Sequence, residues 1–440
     1  MTLPTLHAAA DDLRAGRRTP MDLLEACLAA IEQHEAKVHA WVFVDRAGAR
    51  AEAEQRAAEL ERGQWRGPLH GIPLGIKDIF DVFDWPTACG SRLWGQSIAR
   101  RDATVVQRLR QAGAVFLGKT VTTQYASFDP PPTRNPHDLS RTPGGSSSGS
   151  AAALATGMCL GALGSQTGGS ITRPASYCGV AGLKPTYGRV SGDGVLPLAP
   201  SMDHPGPLAT CVRDLALLLQ VIAGPDPRDP SCANAPVPDY AARLERPPSR
   251  PRLGRLRGLF EEHAQPAMRA LMDQVTATYR ERGATVFEVA LPASFAEVLA
   301  RHRTVMAVEA AAFHESRLRR HPEDYLPKIR SLIEEGLATP AAAYARCKEH
   351  QRQLTQEMGA CFEGVDVLLT PATPGPPPDA STTGDPAFNS PWSYTGLPTV
   401  SFPAGRSPEG LPLGVQLVGR PWSEAELLAA AMWCEQHHYR

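Results

Sequence analysis

Residues 142–170 read TPGGSSSGSAAALATGMCLGALGSQTGGS. Two glycine-serine nodes, GGSSSGS at 144–150 and GSQTGGS at 164–170, flank a run of small residues. Taken alone, the first node reads as a slack linker, a phosphate cradle or a catalytic loop. It also fits the G-x-S-x-G nucleophile elbow as Gly145-Ser146-Ser147-Ser148-Gly149, which makes Ser147 the nucleophile of an α/β-hydrolase-like esterase. An elbow serine sits on a sharp turn directly after a buried strand. The residues before this node, RNPHDLSRTP (134–143), hold two prolines and little apolar content, so they read as a loop. Reading onward favours a different arrangement. SAAALATG (150–157) is a small-residue helix that packs close to its neighbours and can bring the two nodes together. Gly168 and Gly169 then let consecutive backbone N–H groups, from Thr167 through Gly168 and Gly169 to Ser170, point at one spot as an oxyanion hole. A serine nucleophile beside its own oxyanion hole is the minimum for acyl transfer.

That serine needs a base. Neither node has a histidine nearby, and no histidine of the chain sits in an obvious motif. Lys77, in GIKDI, is a charged residue inside an apolar strand. Burying it is costly unless it is paired or neutral. The plainer reading is a Lys–Asp ion pair at a strand end. A second trap lies at 113–120, where GAVFLGKT satisfies the P-loop pattern. Its four middle residues, AVFL, are themselves a buried strand and cannot wrap a phosphate, which leaves Lys119 as a lysine at a sheet edge.

The 440 residues are 42% hydrophobic and 21% charged, which fits a globular chain with ample core. A formal net charge of −1 supplies no long-range field for nucleic acid or an acidic membrane. No 18-residue apolar run is present, and MTLPTLHAAADDLRAG lacks the h-region of a signal peptide, so a cytoplasmic protein is expected. The nine cysteines have no CxxC pairs, which points to free thiols and no metal site. Helices are expected over 5–35, with Thr19 as a cap, and over DATVVQRLRQAG (102–113). Strands are expected in 69–82, 114–120, 365–374, LPTVSFPAG (397–405) and LPLGVQLVG (411–419), with a closing helix from Ser423. RPPSRPRLGRLRG (246–258) reads as a solvated linker and helix start, and 264–362 as a helical block that is an insertion or lid. Strand alternating with helix gives an α/β class.

The chain resembles the amidase signature family. The resemblance runs from GPLHGIPLGIKD (67–78) through DATVVQRLRQAGAVFLGKT, NPHDLSRTPGGSSSGS and GSQTGGSITRPASYCGVAGLKPTYGRVS. It resumes at DHPGPLATCVRDLALLLQVIAGPDPRD (203–229), VDVLLTPATP and GLPTVSFPAG. It implies one large α/β/α domain over 1–440, with a mixed, mainly parallel central sheet covered by helices, N-terminal helices within 1–60 and the variable block at 264–362. It places the base on Lys77, a bridging serine on Ser146 held by a cis bond to Gly145, and the nucleophile on Ser170, 24 residues after Ser146. Neutral Lys77 then takes the Ser170 proton through Ser146, Thr167 to Ser170 hold the oxyanion, and water cleaves the acyl-enzyme without any cofactor. A free lysine titrates near 10.4, whereas a useful base sits near 7–8. Neighbouring side chains of a strand point to opposite faces, so Asp78 is expected to turn away from Lys77.

Three departures from the family pattern stand out: Ser148 where a glycine is frequent, Gln166 where Asp is frequent, and Arg173 one place later than usual. The sequence Q-T-G-G-S-x-x-R-P-A resembles the malonamidase-type branch, which makes Arg173 a candidate clamp for a substrate carboxylate. A structural arginine paired with an acid such as Asp203 is the alternative. The same departures count against the A-type component of a tRNA-dependent amidotransferase, which would bring protein partners. The expected partner is instead a small amide or carbamate substrate, with urea-like bonds and a homodimer left open. Ser127, Phe128, Trp392 and Tyr394 are candidates for the pocket lining, with core packing as the alternative for the aromatics.

Overall fold

The apolar runs at 69–82 and 114–120 become adjacent parallel strands in the computed structural model, which describes residues 3–438. Residues 1, 2, 439 and 440, the ends of the expected domain, lie outside the described residues. The strands are β1 (Trp41–Val44), β2 (Pro73–Lys77), β3 (Val115–Thr120), β4 (Gly161–Gln166), β5 (Ala181–Lys184), β6 (His204–Ala209), β7 (Arg252–Leu256), β8 (Thr285–Val289), β9 (Val367–Pro371), β10 (Thr399–Arg406) and β11 (Pro412–Val418). They form one sheet in the order β1-β3-β2-β4-β6-β5-β10-β11-β9-β7-β8. The chain is thus a single large α/β domain, with a mixed sheet covered by helices. None of its described helices is long and apolar enough to cross a membrane.

Local signals act where the sequence places them. The helix Pro20–Val38 starts on a capping box, in which Asp22 N donates to the Thr19 hydroxyl (3.1 Å) and Thr19 N donates to the Asp22 carboxylate (2.7 Å). The helix Thr104–Gln111 buries Val105, Val106 and Leu109 and stops before Gly113, whose φ of +84° suits a glycine. The cysteines are free thiols, most of them buried.

Several expectations are corrected. The sheet is not mainly parallel: β2–β3, β2–β4, β7–β8 and β7–β9 pair parallel, and the other pairings are antiparallel. Residues 246–258 are not a linker into a helix, because 252–256 form β7. Its Leu253, Gly254 and Leu256 are buried, while Arg255 sends its guanidinium to Asp273 (2.7 Å). The block 264–362 contributes β8 at the sheet's end before its helices Val298–Arg320, Pro327–Ala338 and Ala341–Glu357. Lys119 is not at a sheet edge, since β3 lies between β1 and β2.

Candidate active site

The small residues of 144–170 allow the two glycine-serine nodes to meet. The helix Ser148–Ala155 packs so closely that a Cβ on Gly149 would lie 2.1 Å from the Ala40 carbonyl oxygen. On β4, a Cβ on Gly164 would meet the Ser147 hydroxyl at 2.8 Å. The first node thereby sits directly on β4, the strand that leads to the second.

Lys77 ends β2, inside the sheet, and is fully buried. Its Nζ lies 2.8 Å from the Ser146 Oγ and 2.8 Å from the Ser165 Oγ. Asp78 turns to the other face, as strand alternation requires, and pairs with Lys119 at 2.8 Å. The Lys–Asp ion pair therefore exists, but with a different lysine. Among the described residues no carboxylate touches Lys77 Nζ, and burial pulls its ammonium from 10.5 down to about 7, against the attraction of Asp203. Neutral Lys77 has two N–H bonds to give and one lone pair. One serine contact can accept from it while the Ser146 hydroxyl donates to it.

The peptide bond Gly145–Ser146 is cis. Arg173 holds this loop in place. It is buried, and its guanidinium donates to the Gly145 carbonyl (2.7 Å) and to the Gly384 carbonyl (3.0 Å). These contacts are those of a structural arginine, with backbone carbonyls in place of the expected acid. It does not pair with Asp203; its two terminal nitrogens serve backbone carbonyls, and its buried Nε has no partner among the described residues. Ser147 is equally committed. Its hydroxyl donates to the Ser165 carbonyl and accepts from the Ser165 N–H, both at 3.3 Å, so the elbow reading falls. Ser148 opens its helix without a positive φ and donates to the Gly144 carbonyl (2.6 Å), so serine fits where a glycine is frequent.

Ser170 closes the second node, and among the described residues its hydroxyl has no hydrogen-bond partner, Ser146 included. That contact must close for a proton to pass, as catalytic hydrogen bonds often do only in the substrate complex. The amides of Gly168, Gly169 and Ser170 donate to no acceptor among the described residues, as an oxyanion hole requires. Gln166 stabilises the turn that carries them. Its Oε1 accepts from Ile171 N (3.0 Å), Thr172 N (3.0 Å) and the Thr172 hydroxyl (3.1 Å). A neutral amide thus makes the backbone bonds that a carboxylate could make.

Two neighbours, Ser165 and His302, escape the sequence reading, and so do the side-chain contacts of Thr167 and Asp203. Ser165 is a second hydroxyl on Lys77. Thr167 donates its hydroxyl to half-buried Asp203, whose carboxyl is pushed up by desolvation. His302, from the helix Val298–Arg320, bonds the Thr167 carbonyl (2.9 Å) and is held near 4 by burial. Asp203 is fixed by Leu198 N (2.8 Å) and Ala199 N (3.1 Å). Only the unpaired charge of Lys77 signals in the sequence that partners must exist.

The expected lining divides. A cavity of about 360 Å³ reaches Ser165, Thr167, Asp203 and Ala126. Trp392 and Tyr394 do not line it. Trp392 stacks on Phe260 (5.6 Å) and meets Phe295, and the Tyr394 hydroxyl donates to the Cys347 carbonyl (2.6 Å), so both are core. Ser127 is buried beside Ala126, and Phe128 is half-buried against the core; neither reaches the cavity.

The Amidase family profile matches residues 22–428. The chain belongs to the amidase family. It is 38% identical to an amidase of Pseudomonas putida, covering 99% of this chain and 96% of that one. It is also 38% identical to the A-type component of the glutamyl-tRNA(Gln) amidotransferase of Prochlorococcus marinus (strain MIT 9303), covering 96% and 95%. Among solved structures, a chain from a vestigial protein complex, described for the evolutionary origins of an s-triazine catabolic enzyme, superposes with a TM-score of 0.93. That pair shares 34% identity over 98% of both chains.

Proposed function

We propose that the chain is an amidase that hydrolyses the C–N bond of a small amide through an acyl-enzyme on Ser170, with no cofactor. The observation that carries this reading is Lys77. A buried lysine whose ammonium is pulled down to about 7, and which lies 2.8 Å from the Ser146 hydroxyl, is built to accept a proton. Ser146 takes the Ser170 proton as it passes its own to Lys77. Ser170 attacks the carbonyl carbon, and the amides from Gly168 to Ser170, next to Thr167, receive the negative oxygen. The proton returns through Ser146 to the leaving nitrogen as the C–N bond breaks. Water then attacks the ester by the reverse relay, releases the acid and restores Ser170. Carbamates and urea-like bonds fit the same steps. In this reading the protein is cytoplasmic and takes a small molecule rather than nucleic acid. The malonamidase-type likeness at Q-T-G-G-S-x-x-R-P-A extends to the motif, with Arg173 as a positioning residue.

A second reading, the A-type component of an amidotransferase, rests on the Prochlorococcus relative. The purified chain decides between them. Hydrolysis by the chain alone, lost by ~10³-fold or more in Ser170→Ala and Lys77→Ala and retained in Ser147→Ala, supports the amidase. Labelling by a fluorophosphonate should fall on Ser170. Label on Ser147, or full activity in Lys77→Ala, overturns the mechanism. Hydrolysis that appears only with added partner proteins supports the second reading.

A further inference from the structure

The 360 Å³ cavity has a charge pattern that the catalytic machinery does not explain. Its volume is within the usual range for small-molecule sites. Ser165, which touches Lys77, and Thr167, which begins the turn to Ser170, are part of its lining. Ala126, Val195, Leu196 and Leu198 give it an apolar wall. Four charged residues line it: Asp193, Asp203, Arg228 and Asp229.

Their partners differ. Asp193 is neutralised by Arg101 (2.5 Å), and Arg228 is taken up by Asp226 (3.4 Å) and Asp193 (3.5 Å). Asp203 and Asp229 have no cationic partner among the described residues. Asp229 is held by Gly192 N (2.7 Å), Ser231 N (2.8 Å) and the Ser231 hydroxyl (2.6 Å). Asp203 is held by Thr167, Leu198 and Ala199, three donors placed as a carboxylate needs them. Lys77, which touches the lining residue Ser165, is neutral when the enzyme is active. The cavity therefore carries two uncompensated carboxylates, one bonded to Thr167 and one in the loop that walls it, and no free cation among the described residues.

We propose that this cavity receives the acyl side of the substrate and that Asp203 and Asp229 select neutral and cationic amides against amides bearing a carboxylate. The proposal rests on the amidase reading of Ser170. An anionic chain entering the apolar wall would lose its water and meet like charge, a repulsive device that gives specificity without a new attraction. An ammonium at the chain's end would find acceptors instead.

Three amides of one length separate these cases: hexanamide, 6-aminohexanamide and the monoamide of hexanedioic acid. Each is measured with the full chain at pH 8 as kcat/KM for hydrolysis and as protection of Ser170 from fluorophosphonate. The anionic amide is expected to fall about tenfold or more below hexanamide, and 6-aminohexanamide to equal or exceed it. In Asp203→Asn, the overall rate also drops, because Asp203 positions Thr167. The informative readout is the anionic-to-neutral ratio, which rises if the carboxylate repels and stays fixed if Asp203 is merely structural. Asp229→Asn raises the same ratio with the Thr167 contact undisturbed. A ratio near one in the parent enzyme, a preference for the anionic amide, or neither turnover nor protection by any of the three overturns the proposal. Loss of Ser170 labelling itself would instead strike the amidase reading.

Discussion

Replacing Lys77 by methionine is expected to abolish hydrolysis and to stabilise the fold by an amount that depends on pH. Burial pulls the Lys77 ammonium from 10.5 to about 7. Unfolding restores the ordinary value, so between pH 7 and 10.5 the unfolded chain holds a proton that the folded chain has released. Stability rises with pH across that window. Below pH 7 the full cost of the buried lysine is present, and above 10.5 it vanishes. A fall from 10.5 to about 7 is worth about 5 kcal/mol, of which about 3 kcal/mol is recovered between pH 6.5 and 9.5. Methionine fills much the same space and carries no charge, but it forfeits the bonds to Ser146 and Ser165, worth about 1 kcal/mol each. The variant should therefore be about 2–3 kcal/mol more stable than the parent at pH 6.5 and close to it at pH 9.5. Equilibrium urea unfolding of both proteins at both pH values measures this. The double difference cancels every titration that the two proteins share. A value below about 1 kcal/mol would mean that Lys77 remains an ammonium in the folded protein, and the base assignment would fail.

The same titration governs catalysis, because protonated Lys77 has no lone pair to accept with. A pH profile of kcat/KM should fall about tenfold per pH unit below about 7 and be flat above it, and an unchanged rate at pH 5.5 would contradict the mechanism. Arg173→Met should lower kcat by roughly 10- to 100-fold, because the Gly145 carbonyl beside Ser146 loses its donor. Arg173→Lys should recover part of that loss. A variant that changes only KM, and only for carboxylate-bearing amides, would return Arg173 to the role of substrate clamp.

The candidate catalytic residues are legible because their chemistry is written into the chain: a lysine in an apolar strand, and two serines at glycine nodes. The strands are legible where bulky apolar residues mark them, as in β3 and β9. β4 (GALGSQ), β5 (AGLK) and β6 (HPGPLA) carry no β-branched residue and give no such signal. Their small residues answer a tertiary demand that no local propensity records. Gly164 must leave room for Ser147, and Gly206 lies against the Leu183 carbonyl oxygen, where a Cβ would be 2.3 Å away. β7 is hidden by its arginines, whose charged ends lie at carboxylates while the chain between them stays in the sheet. Trp392 and Tyr394 mislead for the opposite reason. Aromatics in a proline-bounded segment suggest a pocket, but Phe260 and Phe295 close over Trp392 from distant parts of the chain.

The assignment of charge between two buried lysines joins fold and chemistry. Lys77 and Lys119 lie at the ends of adjacent parallel strands, and both are buried. One aspartate, Asp78, follows Lys77 in sequence, yet strand alternation turns it to the opposite face. There it meets Lys119, which also bonds the Pro86 carbonyl (3.0 Å) and the Thr87 hydroxyl (3.2 Å). Lys119 is thereby a compensated structural cation. Lys77 is left with two neutral hydroxyls, and burial is free to strip its proton. Had the strand been one residue out of register, Asp78 would have faced the serines and Lys77 would have turned to the side of Lys119, leaving the serines without a base. The dipeptide Lys77-Asp78 therefore does two jobs through pleat geometry alone. It withholds a counterion from the residue that must be neutral and gives that counterion to the lysine on the neighbouring strand, which needs one.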